Sequence, residues 1–462
     1  MNYDLIIIGS GPGGYVAAIR ASQLKMKVAV VEKAELGGIC LNWGCIPTKS
    51  LLKSSQVYDY LKHASDYGIS VTGEIKPDFP GMIARSRSVA DGMSKGIQFL
   101  FKKNNIEHIK GHGRLSSPGS VEVENEGKKT TISAKNIILA TGARSKELPN
   151  LKQDGKKIIG YREAMTLPGQ PAKMVVVGSG AIGSEFANFY QSIGTEVTLV
   201  EFLPRIVPNE DEEVSKQLER SFKKMKMKVM TDSSVESVDT SGEKCKVAIK
   251  TPSGLETIEA DVVLSAVGVE TNISDIGLEK AGVKTEKGKV VVDAFYCTSV
   301  PGIFAIGDIV HGPALAHVAS AEGITCVEKM AGLDVEPLDY DNIPACTYTT
   351  PEIASCGLTE KAAREKGYEI KVGKFPYTAS GKASAAGAKD GFVKLIFDAA
   401  YGELLGAHLI GYNVTELIAE IVVARKLETT AHEIIKSVHP HPTMSEAIME
   451  AAAAAYGEVI HL

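Results

Sequence analysis

The chain has 462 residues, 44% of them hydrophobic and 23% charged, enough for about three domains with substantial cores. Lysine and arginine number 51 against 56 acids, a net charge of −5, which argues against a nucleic-acid binder held by phosphate contacts. No apolar run reaches the roughly 18–20 residues of a membrane helix, and residues 1–4 lead straight into a strand pattern instead of a signal or transit peptide, so a cytoplasmic protein without membrane or nucleic-acid partners is expected.

In chain order, residues 3–9 read as a short apolar strand running into Gly9-Ser10-Gly11-Pro12-Gly13-Gly14. Helical spacing at Ala17, Ala18, Ala21 and Leu24 follows, then a second strand over 27–32. This is a βαβ unit with the G-x-G-x-x-G fingerprint at Gly9, Gly11 and Gly14, a turn that brings a pyrophosphate to a helix N-terminus. Glu32 closes the second strand, where a carboxylate can accept from ribose hydroxyls.

Residues 37–49, Gly-Gly-Ile-Cys-Leu-Asn-Trp-Gly-Cys-Ile-Pro-Thr-Lys, carry two cysteines five positions apart. On an ideal helix their side chains would diverge by roughly 140° and rise about 7.5 Å, too far for a disulfide, which wants Cα atoms within roughly 7 Å. A bond between Cys40 and Cys45 therefore needs a distorted loop entering a helix. Gly37, Gly38 and Gly44 relax the backbone, and Pro47 suits a helix's first turn. The plainer alternative is a pair of inert core thiols. Zinc is poorly served, because no second Cys or His pair stands nearby, and no metal is expected. Cys245, Cys297, Cys326, Cys346 and Cys356, the rest of seven scattered cysteines, are expected to be buried or incidental.

The strand at 136–144 ends in a turn at Thr141 and Gly142, and 261–268 echoes it, ending at Gly268. Each is expected to close a nucleotide domain. Between them the first pattern repeats: a strand over 173–177, Gly178, Gly180 and Gly183 in fingerprint spacing, a helix over 184–193 and a strand over 196–201. Gly9 to Glu32 and Gly178 to Glu201 are both 23 positions, which marks two related dinucleotide domains and electrons moving between them. Glu201 would bond a free 2′-hydroxyl and repel a 2′-phosphate, and Arg205 beyond a retained glutamate still favours NAD over NADP.

Residues 302–308 read as a strand with Asp308 at its exit, where the plainer role is a helix N-cap. After Pro344 strands and helices mix without a third fingerprint, so 345–462 is expected to be an α+β module, and the charged run 360–366 a solvated helix face. Near the end, His439-Pro440-His441-Pro442-Thr443-Met444-Ser445-Glu446 precedes an alanine-rich helix over 447–456. Thr443 and Glu446 fit a capping box. The histidines suit proton transfer near neutral pH, and Glu446 could also orient His441 as the third member of a thiol, base and orienter set.

Together these segments resemble the pyridine nucleotide-disulfide oxidoreductase family over essentially the whole chain. The resemblance implies an α/β fold of two Rossmann-like dinucleotide-binding domains, for FAD and NAD, plus a C-terminal α+β dimerisation domain, with boundaries at 1–147, 148–272, 273–344 and 345–462. It implies FAD on the first fingerprint with Asp308 reaching its polyol chain, NAD on the second, and Lys49 paired with Glu185 near the flavin ring. Solvated charge is the plainer alternative for that last pair. It further implies a redox disulfide of Cys40 and Cys45, and an obligate homodimer in which His441 and Glu446 serve the disulfide of the other subunit. Within the family the residues point to reoxidation of protein-bound dihydrolipoamide by NAD⁺, with lipoyl domains and an acyltransferase of 2-oxo acid dehydrogenase complexes, or the glycine cleavage carrier protein, as partners. The alternatives are another FAD-dependent disulfide reductase, such as glutathione reductase, and a non-catalytic FAD-binding assembly protein. Glu201 stands against the first, where NADPH-using relatives carry basic residues.

Overall fold

Residues 2–462 are described by a computed structural model, which gathers them into two units. The first comprises the segment ending at Ser50, Pro80–Lys146 and Val269–Leu338. Its sheet is built on β1 (Asn2–Ile8), joined through helix α1 (Pro12–Gln23) to β2 (Val28–Glu32). β1 pairs in parallel with β2 on one side and with the strand Lys128–Leu139 on the other. Leu5, Ile6 and Ile7 are fully buried, as a parallel strand covered on both faces requires. Then come helices α2 (Gly38–Trp43), α3 (Cys45–Lys62) and α4 (Phe79–Lys103), of which α3 and α4 each pass from one unit to the other, and the edge strand β3 (Glu107–Lys110) on β2.

The strand expected over 136–144 is longer and ends sooner. Lys128–Leu139 pairs antiparallel with Ser120–Asn125 at its start and parallel with β1 at its end. The chain then breaks at 140–142, where Gly142 takes φ +65°, and Ala143–Ser145 pairs instead with Val269–Thr271. Likewise Ile303–Ala305, beside Lys128–Leu139, stops before Gly307 at φ +74°.

The second unit comprises Leu51–Phe79, Glu147–Gly268 and Asp339–Leu462. It repeats the βαβ pattern in Lys173–Val177, the helix Ala181–Ser192 and Glu196–Val200, within a parallel five-stranded sheet. The strand Val262–Ser265 flanks Lys173–Val177 as Lys128–Leu139 flanks β1. The C-terminal region is α+β as expected: five antiparallel strands with helices Val414–Lys426, Ala431–Lys436 and Glu446–Ala455.

Across that sheet Ser355, His408 and Lys394 form one cross-strand row. Lys394, its side chain 3% exposed, places Nζ 3.1 Å from both Asp211 oxygens, 2.9 Å from Glu213 and 2.8 Å from Glu360. The 360–366 run is thus not simply solvated: the helix Glu360–Glu365 spends Glu360 on this buried ammonium and buries Ala363. Glu210 lies beside the row with its carboxyl pushed up from 4.5 to about 7, chiefly by burial and against a hydrogen bond with Ser355. A folded-state value above the unfolded one means that stability is lost as pH rises from 4.5 to about 7, at about 1.4 kcal/mol per unit and on the order of 3 kcal/mol in all. Thermal melts of Glu210→Gln across that window should lack this part of the slope; an unchanged slope would place it on other groups.

Candidate active site

The first phosphate turn shows why its glycines are glycines. Gly9 takes φ +103°, and a Cβ there would fall 2.2 Å from the Ala140 carbonyl oxygen; one on Gly14 would fall 2.0 Å from the Gly9 oxygen. A Cβ on Gly11 would meet nothing within 4 Å, so the backbone at the N-terminus of α1 is open to a ligand there. The second turn matches it: Gly178 and Gly183 are equally crowded and Gly180 equally open. Two cradles of one shape, each at a helix N-terminus, suit two dinucleotide pyrophosphates.

The acids at the ends of the second strands are arranged alike. Glu32 accepts the Ser10 N–H at 2.9 Å, the Ser10 hydroxyl at 2.8 Å and the Ala34 N–H at 2.9 Å. Glu201 accepts the same three groups from Ser179, at 2.8 and 2.6 Å, and from Leu203, at 2.9 Å. A carboxylate offers roughly four lone-pair sites, so each acid is held in place by its own turn and keeps capacity for a ribose hydroxyl. The fingerprint pattern passes over these two serines, although both stand between its first two glycines. Arg205 is taken up by Glu212 at 3.2 Å and the Pro208 carbonyl at 3.0 Å.

The remaining cofactor-site candidates lie at strand exits. Thr141 donates its hydroxyl to the Asn272 carbonyl at 2.7 Å, and Asn272 returns its amide to the Thr141 carbonyl at 3.0 Å and its backbone N–H to Gly142 at 2.8 Å. Gly268 turns the chain at φ +108° with nothing within 4 Å of a would-be Cβ. Asp308 sits inside a one-turn helix, Gly307–Ile309, whose N-cap is Ile306, so it is not the cap. Burial holds its carboxyl above the ordinary range against the pull of Lys289. The preceding Gly307 N–H is held by the buried Glu322 at 2.6 Å.

Cys40 and Cys45 are not joined by a disulfide; both are half-buried, on two separate helices: Cys40 within α2, and Cys45 as the first residue of α3. The expected distortion is the break between them at Gly44, with φ −145° and ψ −113°. Gly38 carries α2 against the phosphate turn, since a Cβ there would meet the Gly11 Cα at 2.6 Å. The Cys40 thiol is pushed up by its hydrogen bond with Cys45, then by burial, and Lys49 opposes. A thiolate at Cys45, at the N-terminus of a long helix, has the helix dipole in its favour. One proton is thus best kept on Cys40 and the negative charge on Cys45.

In the second unit His441 Nδ1 lies 2.9 Å from Glu446 Oε1, and the Thr443 N–H donates to Oε2 at 2.8 Å. Burial opposes ionisation of Glu446, but these two bonds outweigh it and hold its carboxyl below the ordinary range. The capping box forms only in part. The helix begins at Glu446 after Ser445, and the Thr443 hydroxyl turns to the Pro440 carbonyl and Ser445. His441 is 77% exposed, whereas His439 is 7% exposed with both ring nitrogens engaged, on Ser437 and Glu420. Of the two rings, His441 is the one open to solvent. Glu185 is buried and accepts the Tyr348 N–H at 3.0 Å, so it is not solvated charge; Lys49 is half-buried on α3.

Two nucleotide cradles, a cysteine pair whose first helix packs on one of them, and an exposed histidine–glutamate pair are the parts that electron transfer between a dinucleotide and sulfur would use. Residues 3–323 match the pyridine nucleotide-disulphide oxidoreductase domain and residues 343–452 the dimerisation domain of the same enzymes. The chain belongs to the pyridine nucleotide-disulphide oxidoreductase family. It is 49% identical to the dihydrolipoyl dehydrogenase of Zymomonas mobilis, covering 100% of this chain and 99% of the relative, and 48% identical to that of Rhizobium etli over the same shares. The mitochondrial dihydrolipoyl dehydrogenase of Pisum sativum is 43% identical over 99% of this chain and 92% of its own. Among solved structures, LpdA of Mycobacterium tuberculosis superposes with a TM-score of 0.91 at 28% identity, covering 97% and 98% of the two chains. Among the described residues no helix is long and apolar enough to cross a membrane, and no cluster of metal-ligating side chains is present.

Proposed function

We infer that this chain is a dihydrolipoyl dehydrogenase, which oxidises protein-bound dihydrolipoamide to lipoamide and reduces NAD⁺ to NADH. The observation that carries the reading is the hydrogen-bonded thiol pair, one member on the short helix that Gly38 packs against the phosphate turn of the first nucleotide cradle; relatives of that name, matched over their full length, support it. Bound FAD supplies the two-electron acceptor for the cysteine pair, and bound NAD⁺ the final hydride acceptor. Gly9, Gly11, Gly14, Glu32, Thr141, Gly142 and Asp308 would hold the first, with Lys49 and Glu185 near its reactive end. Gly178, Gly180, Gly183, Glu201 and Gly268 would hold the second. The dimerisation domain makes a homodimer the working unit, and domain limits near residues 147, 272 and 344 fit this division of labour.

In the oxidised enzyme the cysteines form a disulfide. His441 of the partner subunit, oriented by its own carboxylate, takes a proton from the first substrate thiol, whose thiolate attacks the Cys40 sulfur. The S–S bond breaks and Cys45 leaves as a thiolate at the N-terminus of α3. The second substrate thiol attacks the first substrate sulfur, closes lipoamide and releases Cys40, whose departing thiolate takes up that thiol's proton. Lipoyl domains of a 2-oxo acid dehydrogenase acyltransferase, or a glycine cleavage carrier, would present the substrate, and the cytoplasm is the expected compartment. The test is an anaerobic titration of the purified dimer. Dihydrolipoamide should reduce the enzyme, and added NAD⁺ should reoxidise it with stoichiometric NADH. Reduction by NADPH alone, with reoxidation by glutathione disulfide, would assign the other reductase class.

A further inference from the structure

We propose that Arg85, Ser86 and Arg87, three consecutive residues of α4, act as a positioning clamp that keeps Cys40 and Cys45 opposed when no covalent bond joins them. None of the three belongs to the cysteine segment, yet each grips its backbone. Arg87 Nη1 donates to the Asn42 carbonyl at 2.6 Å, and its guanidinium lies 4.0 Å from the centre of the Trp43 ring. The Ser86 hydroxyl, fully buried, donates to the Pro47 carbonyl at 2.9 Å. Arg85 Nη1 reaches the Ser50 carbonyl at 2.9 Å and its hydroxyl at 2.7 Å. The anchored carbonyls fall on both sides of the Gly44 break: Asn42 on α2, Pro47 and Ser50 on α3.

A clamp is needed there for a physical reason. Six-residue α2 has no side-chain cap at its N-cap, Gly37, and ends on a second glycine, Gly44, and an isolated helix of that length is not stable in water. Its last carbonyls lack helical partners; Arg87 supplies a charged donor to one of them and a planar face to the adjoining indole. Successive α4 residues point about 100° apart, so the two long arginines reach around either side of the buried serine to opposite sides of the break. Inside the segment, Asn42 donates to the Leu36 and Gly38 carbonyls and Thr48 to the Gly44 carbonyl, which stiffens each half, and Cys40 and Cys45 share a hydrogen bond across the break. The α4 side chains add backbone anchors on both sides of that contact.

The consequence is thermodynamic. The stability of a disulfide against its dithiol rises with the effective concentration of one thiol at the other. Holding the halves in register keeps that concentration high in the reduced enzyme and keeps the two redox states close in geometry. The proposal rests on the Cys40–Cys45 redox reading, and the experiment separates the two. Wild-type, Arg87→Met, Arg87→Lys and Ser86→Ala holoenzymes are equilibrated in graded mixtures of reduced and oxidised dithiothreitol, quenched by alkylation, and Cys40 and Cys45 are scored by mass. Each S–S bond that forms passes one electron pair and two protons to one oxidised dithiothreitol, which opens to its dithiol. Arg87→Met should lower the disulfide equilibrium constant about tenfold, a midpoint about 30 mV less negative, with kcat reduced and KM little changed. Ser86→Ala should move it the same way by less, and Arg87→Lys should recover part of the loss. An unchanged midpoint in Arg87→Met overturns the clamp even if the melting temperature falls. Should that variant not fold, unchanged midpoints in Ser86→Ala and Arg87→Lys overturn it equally. A wild-type enzyme whose cysteines never form the disulfide overturns the redox reading itself.

Discussion

Replacing Cys45 with serine should abolish dihydrolipoamide oxidation while leaving the dimer folded and its flavin bound. The serine hydroxyl preserves the start of α3, so nothing near the phosphate turn moves: Gly38 stays against Gly11, and Thr48 still closes on Gly44 at 2.7 Å. What disappears is the leaving group. Without a second sulfur, a substrate thiolate meets no disulfide at Cys40, and the remaining thiol has lost the partner that raises its pKa. Steady-state lipoamide formation measured beside visible absorbance of the flavin checks this. Turnover that survived with full flavin content would remove the disulfide from the mechanism.

His441→Gln should slow thiol oxidation by more than about a hundredfold, the upper part of the range for a general base, and flatten the dependence of the rate on pH. Glutamine keeps a polar group near Glu446 but cannot carry the proton. Because Glu446 is held ionised by Thr443 and His441, Glu446→Gln should cost less: it removes the anchor of the imidazole at 2.9 Å without removing the base. His439→Gln is the control. That ring is committed to Glu420 and Ser437, each at 2.9 Å, and is covered, so its loss should show in stability before rate. A normal rate in His441→Gln would move proton transfer to another group.

Much of this site is legible in the amino-acid sequence because its parts are local. Each nucleotide cradle is written within 24 residues, since turn, helix N-terminus and acid are consecutive parts of one βαβ unit. The cysteine pair with its glycines and proline, and the His441–Glu446 pair, are likewise local, the members of each pair five positions apart. Boundaries are less legible. Lys128–Leu139 changes partners along its length, and the charged face at 360–366 gives one of its carboxylates to Lys394, 34 residues away. Neither choice has a signature in hydrophobic period.

The amino-acid sequence by itself determined the candidates: the segments shaped to take phosphates, the cysteine pair proposed to exchange sulfur bonds and the histidine proposed to move a proton. Each depends on residues close in the chain, where spacing and backbone conformation dictate geometry. Only the tertiary structure decided what holds those segments still. Asn272 on Thr141, Glu322 on Gly307, Arg87 on Asn42 and Lys394 on Asp211 join residues from 15 to 183 positions apart. Single polar side chains reaching over such distances follow no period that a sequence can display, and their partners are chosen by which carbonyls and carboxylates the packed core leaves in need of a donor.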